Sequence, residues 1–525
     1  MKSMKKLAAL LLVLALVFTV AGCGDKGASS SSNSGNTLRV VMQDPNVPID
    51  TNMGTQAYLI MVSDQACETL IGLNNDTTLD PQLLKQMPTV SDDGLTYSFE
   101  LKDGVKFHNG ETLKSSDVKY SYERLITKGL MGSLFDQVVG FKALEDGTAD
   151  SLEGFKIKDD THFDIVLQQP YAPFEAALSA PYAVIFPEKA CEEAGGDWGR
   201  TVLYGTGPFK MTSYTAGQGI EMERFDDYHG DKTKLDGVSF KFVNDLNTQV
   251  MEFQKGNCDF VMLDTGQYET VTSNDAVKDK MHSFNPVGLV YLSPNNEIYT
   301  DSRIKEALSY AVDREALCDE LLSGAATPAK SFIPKGLLGY NDSLPAYEYN
   351  PEKAKKLLAE AGYPDGITIP VVGSTNYQTL IKVATAIQDQ AKAAGINIEL
   401  SQVDHAGYND MNKSGSLNLT VSNWYTDYVD PDGMIYQRMS ATTTQQVSNK
   451  YNNPEFNDLI NQARQTKDES KRQELYEKAD EILTHKDYGA IPLYNDTMFY
   501  LLGDNVKNFE VTSIYRYHFY DAELQ

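Results

Sequence analysis

The sequence predicts an α/β protein of two or three domains behind an exported leader. Three observations carry that expectation. Of the 525 residues, about 500 remain once a leader is removed, more than one compact core accommodates. The 41% hydrophobic and 10% aromatic content is that of a globular chain. Helix–Gly–strand units recur in the second half. Asn350 offers an N-cap and Pro351 the first helical position, Leu357, Leu358 and Ala361 form an apolar stripe, and Gly362 supplies the stop. A helix over 381–394 likewise ends at Gly395 and feeds a strand over 396–400.

In chain order, residues 1–22 form a targeting segment, with Lys2, Lys5 and Lys6 ahead of the apolar run 7–20. About fourteen apolar residues fall short of the roughly twenty a membrane span needs. Val20-Ala21-Gly22-Cys23 looks like a bacterial lipobox, so Cys23 would become the first mature residue and carry acyl chains. The alternative is an ordinary secretory signal, but the Cys stands where lipobox cleavage requires it. Residues 23–36 form a Ser/Gly-rich tether with a root-mean-square span of roughly 20 Å.

A strand over 38–42 precedes a helix over 58–70, with Leu59, Val62, Ala66 and Leu70 near one face. Leu95, Tyr97, Phe99 and Leu101 then alternate with polar residues as in a half-buried strand. Asp103-Gly104 signals a turn, Val105 and Phe107 restart the alternation, and Asn109-Gly110 signals another, so a hairpin is expected here. Ser115 or Ser116 offers a cap for a helix burying Val118, Tyr122 and Leu125. Strands follow at 163–167 and 260–263, the latter after a helix turning at Gly256. At Gly205 and Gly207 the expectation is a tight turn into a strand, because glycine permits positive φ. A strand over 287–292 and a helix capped by Asp301 or Ser302 open a second lobe, which includes helices over 454–465 and 470–484.

The order Thr96-Tyr97-x-Phe99-x-Leu101-Lys102-x-Gly104-Val105-x-Phe107-His108-x-Gly110, with Asp117-Val118 beyond, resembles the signature of family-5 extracytoplasmic solute-binding proteins. Gly205 to Lys210 and the run 299–317 resemble two further segments of that family, and the resemblance covers essentially the whole mature chain. It implies a two-lobed periplasmic-binding-protein-like fold, type II, of the large cluster with an extra subdomain, its ligand cleft between the lobes. Lobe I would comprise 37–71, 203–288 and 496–525, the additional subdomain 72–202, and lobe II 289–495. It also implies a monomeric, lipid-anchored binding protein on the outer face of the cytoplasmic membrane. Its partners would be a peptide or other small solute and the permease subunits of an ABC importer with their cytoplasmic ATPases.

The stretch 422–431 packs three aromatics and two carboxylates into a loop after a strand over 417–421. A carboxylate among aromatics in a closed cleft suits a ligand ammonium, through a charge-assisted hydrogen bond and cation–π attraction. Asp430 is read as the start of a turn with Pro431, Asp432 and Gly433. Trp424-x-x-Asp427-x-x-Asp430-Pro431 resembles the family's cleft motif. The resemblance assigns the peptide α-ammonium to Asp427, with Trp424 and Tyr425 as ligand-binding neighbours. Dipeptide-binding members clamp the ligand carboxylate with a cleft Arg about fifty residues earlier. The segment 371–377 contains none, which favours longer peptides held by backbone pairing.

Composition excludes several classes. With 73 acidic and 46 basic residues the net charge is −27, which argues against nucleic acid. The 7 His are scattered, with no paired metal-ligand motif, and no cofactor is expected. Without GxSxG, HExxH or an SxxK arrangement, a lipid-anchored hydrolase is disfavoured. Cys67, Cys191, Cys258 and Cys318 allow three disulfide pairings, though their wide spacing favours free core cysteines. A metal chelate or oligosaccharide as ligand, or sensing without transport, remain the alternatives to peptide uptake.

Overall fold

The alternation around Tyr97 does form a strand, Thr96–Glu100, whose inward Tyr97 and Phe99 are buried. Its neighbours are not those the local pattern suggests. It pairs with His162–Val166 on one side and Thr89–Val90 on the other. Val105 and Phe107 instead fold about the Asn109-Gly110 turn, where Phe107 N donates to Glu111 O and Leu113 N to Val105 O. Period two identifies a strand but does not choose its partner. The helix that follows, Ser115–Lys128, buries Val118, Tyr122 and Leu125 as expected. Its cap residue is Lys114 rather than a serine. The Asp117 carboxylate reaches back to accept from Lys114 N at 2.9 Å, while Ser115 is buried in the first turn.

This computed structural model describes residues 35–444 and 447–525, so the leader, Cys23 and nearly all of the tether lie outside the described residues. Three sheets of four or more strands organise those that are described. The first has seven strands, in the order Met281–Phe284, Met498–Leu502, Phe260–Leu263, Thr37–Met42, Gly237–Phe242, Gly219–Arg224 and Phe209–Thr215. Thr37–Met42 lies parallel to both its neighbours and reads as a nearly continuous apolar run because both its faces are covered. The second has six strands, in the order Ala326–Pro328, Ile491–Asp496, Gly288–Pro294, Leu419–Tyr425, Ile367–Ser374 and Ile396–Val403. Helices Ser302–Tyr310, Pro351–Glu360 and Gln378–Ala391 cover one face, and Pro454–Gln465 and Glu469–Glu481 the other. The third has four strands between residues 89 and 166, with Phe99, Phe163 and Phe155 stacked at 5.0 and 4.8 Å in its core. Together these make the two-lobed α/β architecture with an added subdomain.

The second-lobe caps follow the sequence closely. Asp301 accepts from Arg303 N and Asn350 from Lys353 N. The helix expected over 58–70 is shorter, Ala57–Ala66. Beyond it the backbone takes partners elsewhere: Ala66 O accepts from Gly207 N, Glu68 O from Ile185 N, and Leu70 O from Leu83 N. Gly205 and Gly207 serve this contact and not a left-handed turn. A β-carbon on either would come within 3 Å of the Ala66 backbone. Cys67, Cys191, Cys258 and Cys318 are free and buried, and burial pushes the Cys258 thiol up to about 12.

The chain passes between the two large sheets at two adjacent places. Met281–Phe284 leads through 285–287 into Gly288–Pro294, and Ile491–Asp496 leads through Thr497 into Met498–Leu502. The crossings are tied together: Thr497 Oγ1 donates to Asn285 Oδ1 at 3.1 Å, and Asn495 Nδ2 to Gly288 O at 2.8 Å.

Candidate ligand-binding site

The strand expected to stop at Val421 continues to Tyr425, because it pairs with Gly288–Pro294 along its whole length. Gly288 permits the close approach at the end of this ladder, since a β-carbon there would sit 2.2 Å from the Tyr425 ring. Trp424 and Tyr425 are therefore strand residues, and successive side chains of a strand leave opposite faces. Trp424 turns toward Arg438, whose guanidinium lies 4.5 Å from its ring, and its Nε1 donates to Gly433 O at 2.7 Å. Tyr425 turns toward Tyr515, 5.3 Å away ring to ring, and its hydroxyl donates to Asp496. The two aromatics do not form one wall.

The loop after Thr426 holds three aspartates with three fates. Asp430 accepts from Asp432 N at 2.9 Å and caps the short turn Pro431–Gly433, the turn role expected of it. It is also paired with Arg472 at 2.8 Å, and burial holds its carboxyl up at about 6. Asp432 is 0% exposed. Arg464 Nε lies 2.7 Å from it, and the hydroxyls of Tyr171 and Tyr428 donate to it at 2.6 and 2.9 Å. Arg464 also reaches Asp136 at 3.2 Å. Tyr428 itself is sunk in the core of the four-stranded body.

Asp427 differs from both. It accepts a hydrogen bond from the Tyr182 hydroxyl, at 2.8 Å, and no Lys or Arg among the described residues forms an ion pair with it. Burial pushes its carboxyl up to about 7, although the Tyr182 hydrogen bond and the charges of Arg516 and Arg438 draw it down. It is only half-buried, so a ligand can reach it. Arg516 is itself committed to Asp64 at 2.9 Å and to Ser179 O at 2.9 Å.

Sequence reasoning missed Tyr182, Asp496 and Arg516, which come from segments distant in the chain and carry no local motif. Asp496 stands at the mouth of the second crossing, its carboxyl pushed up to about 6 by burial. No His/Cys/Asp/Glu group able to hold a metal occurs among the described residues. Nor is any of their helices long and apolar enough to cross a membrane.

The model for bacterial extracellular solute-binding proteins, family 5 Middle, matches residues 78–446. The chain is 29% identical over 460 residues to the dipeptide-binding protein of Escherichia coli K12, covering 83% of this chain and 84% of that one. It is 27% identical over 478 residues to heme-binding protein A of Haemophilus influenzae, covering 85% and 84%. The periplasmic binding protein DppA of Helicobacter pylori, solved with the peptide STSA, superposes with a TM-score of 0.80 at 24% identity. That match covers 93% of this chain and 98% of that one.

Proposed function

The chain belongs to family 5 of the bacterial extracellular solute-binding proteins, a family of binding proteins and not enzymes, and from that premise we propose that it captures peptides, oligopeptides in particular, between its lobes. It delivers them to the permease of an ABC importer. The body built on the seven-stranded sheet, with the 72–202 subdomain, would close on 289–495 by bending at the paired crossings. The observation that carries the peptide reading is Asp427, the one aspartate of its loop without a guanidinium against it. A peptide α-ammonium supplies the missing cation in a place where water is scarce. The names of the E. coli and H. pylori relatives point the same way. A non-peptide solute is the second reading, favoured by the heme-binding relative.

The proton on Asp427 tests the proposal. The usual Asp value is 3.8 and the folded value about 7, so the folded, empty protein binds this proton more tightly than the unfolded chain. Its contribution to stability is full below pH 4 and lost as pH rises through 7. An ammonium needs the carboxylate, so peptide affinity should move oppositely. It should rise by up to about tenfold per unit from pH 5.5 toward 7, and fall again above pH 8 as the peptide amine, with a pKa near 7.7–8.0, loses its own proton. Calorimetric titration with a free tetrapeptide at pH 5.5, 6.5 and 7.5 reads this directly, with proton release on binding at the lower values. An affinity independent of pH refutes the ammonium assignment.

Anchoring through Cys23 is the second element of the proposal, and it places the protein on the outer face of the cytoplasmic membrane. Cys23→Ala should free the protein from membranes. A variant still retained in the membrane fraction after a high-salt wash excludes acylation as the anchor.

A further inference from the structure

Arginines of the interior are matched to acceptors. Arg464 and Arg472 face Asp432 and Asp430, Arg516 faces Asp64, and Arg314 donates to the carbonyls of Pro492 and Ser309. Arg438 breaks the pattern. Its side chain makes no hydrogen bond or ion pair among the described residues; its buried Nε has no acceptor, and unlike Arg464, whose Nε also makes no hydrogen bond, it has no carboxylate against it. An orphaned buried donor is costly and uncommon in a native structure, because it has given up water without replacement.

The position of this guanidinium limits what its partner can be. The guanidinium lies over the Trp424 ring, 4.5 Å from its centre, and that ring is itself pinned by the bond from Nε1 to Gly433 O. A cation–π contact engages the charge and leaves the N–H donors to other partners. The side chain as a whole is half-buried: its Nε has lost water, while the residue is not fully enclosed. Its charge is felt at Asp427, where it helps draw the carboxyl down, and at Tyr408. Trp424 lies at the end of the strand that leads into Asp427, so the corner stands near that carboxylate. A planar donor edge beside an apolar ring matches a planar acceptor of opposite charge, and a carboxylate accepts from it in bidentate fashion.

We propose that the Trp424–Arg438 corner binds a carboxylate of the ligand while Asp427 holds its ammonium, which makes the site selective for peptides with an anionic group beyond the N-terminus. The inference rests on the peptide reading of the cleft. The carboxylate has two sources, the free C-terminus of a short peptide or an acidic side chain in a longer one, and amidation separates them.

The experiment titrates the native protein with tetra-alanine, its C-terminal amide, and amidated tetrapeptides bearing Glu or Gln at position two or three. At least one anionic member should bind roughly tenfold to a hundredfold more tightly than its neutral counterpart. Loss on amidation of tetra-alanine identifies the C-terminus, and loss on Glu to Gln identifies the side chain. Arg438→Gln should abolish the preference, bringing the ratio of anionic to neutral affinity to about one, with any shift transmitted through Asp427 common to both peptides. Arg438→Lys, which keeps the charge without the planar fork, should restore part of it and guards against a folding defect. Equal binding of anionic and neutral peptides by the native protein, or a preference that survives Arg438→Gln, overturns the assignment while peptide binding stands. Failure of every peptide to bind removes the peptide reading and this inference with it.

Discussion

Asp427→Asn is expected to weaken peptide binding by about 2–5 kcal/mol, roughly thirtyfold to several-thousandfold, because a buried ammonium would be left without its counter-charge. The substitution keeps the shape and an oxygen that still accepts from the Tyr182 hydroxyl. Calorimetry with the native protein should show a similar loss when the peptide is N-acetylated. Combining the two changes should cost little more than either alone, since both remove one interaction. The variant also separates binding from folding. Charging Asp427 in the empty protein works against burial, so at pH 8 the unliganded Asp427→Asn variant should melt no lower than the native protein. A variant that loses affinity and stability together would show a structural and not a ligand-binding carboxylate.

Arg464→Met should destabilise the fold by about 3–5 kcal/mol, the cost of stranding a buried charge. Asp432 is fully buried, and Arg464 stands between it and Asp136, with its guanidinium 3.5 Å from the Tyr436 ring and 4.6 Å from that of Tyr171. Adding Asp432→Asn should recover part of the loss, because it removes the stranded charge. Urea unfolding at pH 7 measures both. A loss below about 1 kcal/mol for the single variant would be the value of an exposed pair and would contradict this burial.

Much of this architecture is written in short-range patterns. The buried stripe of Ser115–Lys128, the Asp301 and Asn350 caps and the Gly395 stop depend on residues within one or two turns, and those are legible. Helix Ala57–Ala66 stops early for a reason no window around it contains, the arrival of Gly205 and Gly207 against its last turn. The cleft divides in the same way. The turn role of Asp430 follows from its neighbours, whereas its Arg472 partner does not. Asp427 stands out in sequence only through the family motif. In the structure its lack of a guanidinium separates it from Asp430 and Asp432, and the orphaned Arg438 is visible only when every acceptor around it is known.

The double crossing also governs the order in which the molecule can be completed. Met498–Leu502, close to the C-terminus, is an interior strand of the seven-stranded sheet, lying between Met281–Phe284 and Phe260–Leu263. A chain made, or threaded through a membrane, from its N-terminus must hold an unsatisfied edge on Phe260–Leu263 until Met498–Leu502 emerges. The four-stranded body between residues 89 and 166 has all its strands early and meets no such delay. The lobe that begins the sequence is thus the last to be finished, and a chain cut short before Met498 leaves a sheet open at its middle, primed to pair with another copy of itself.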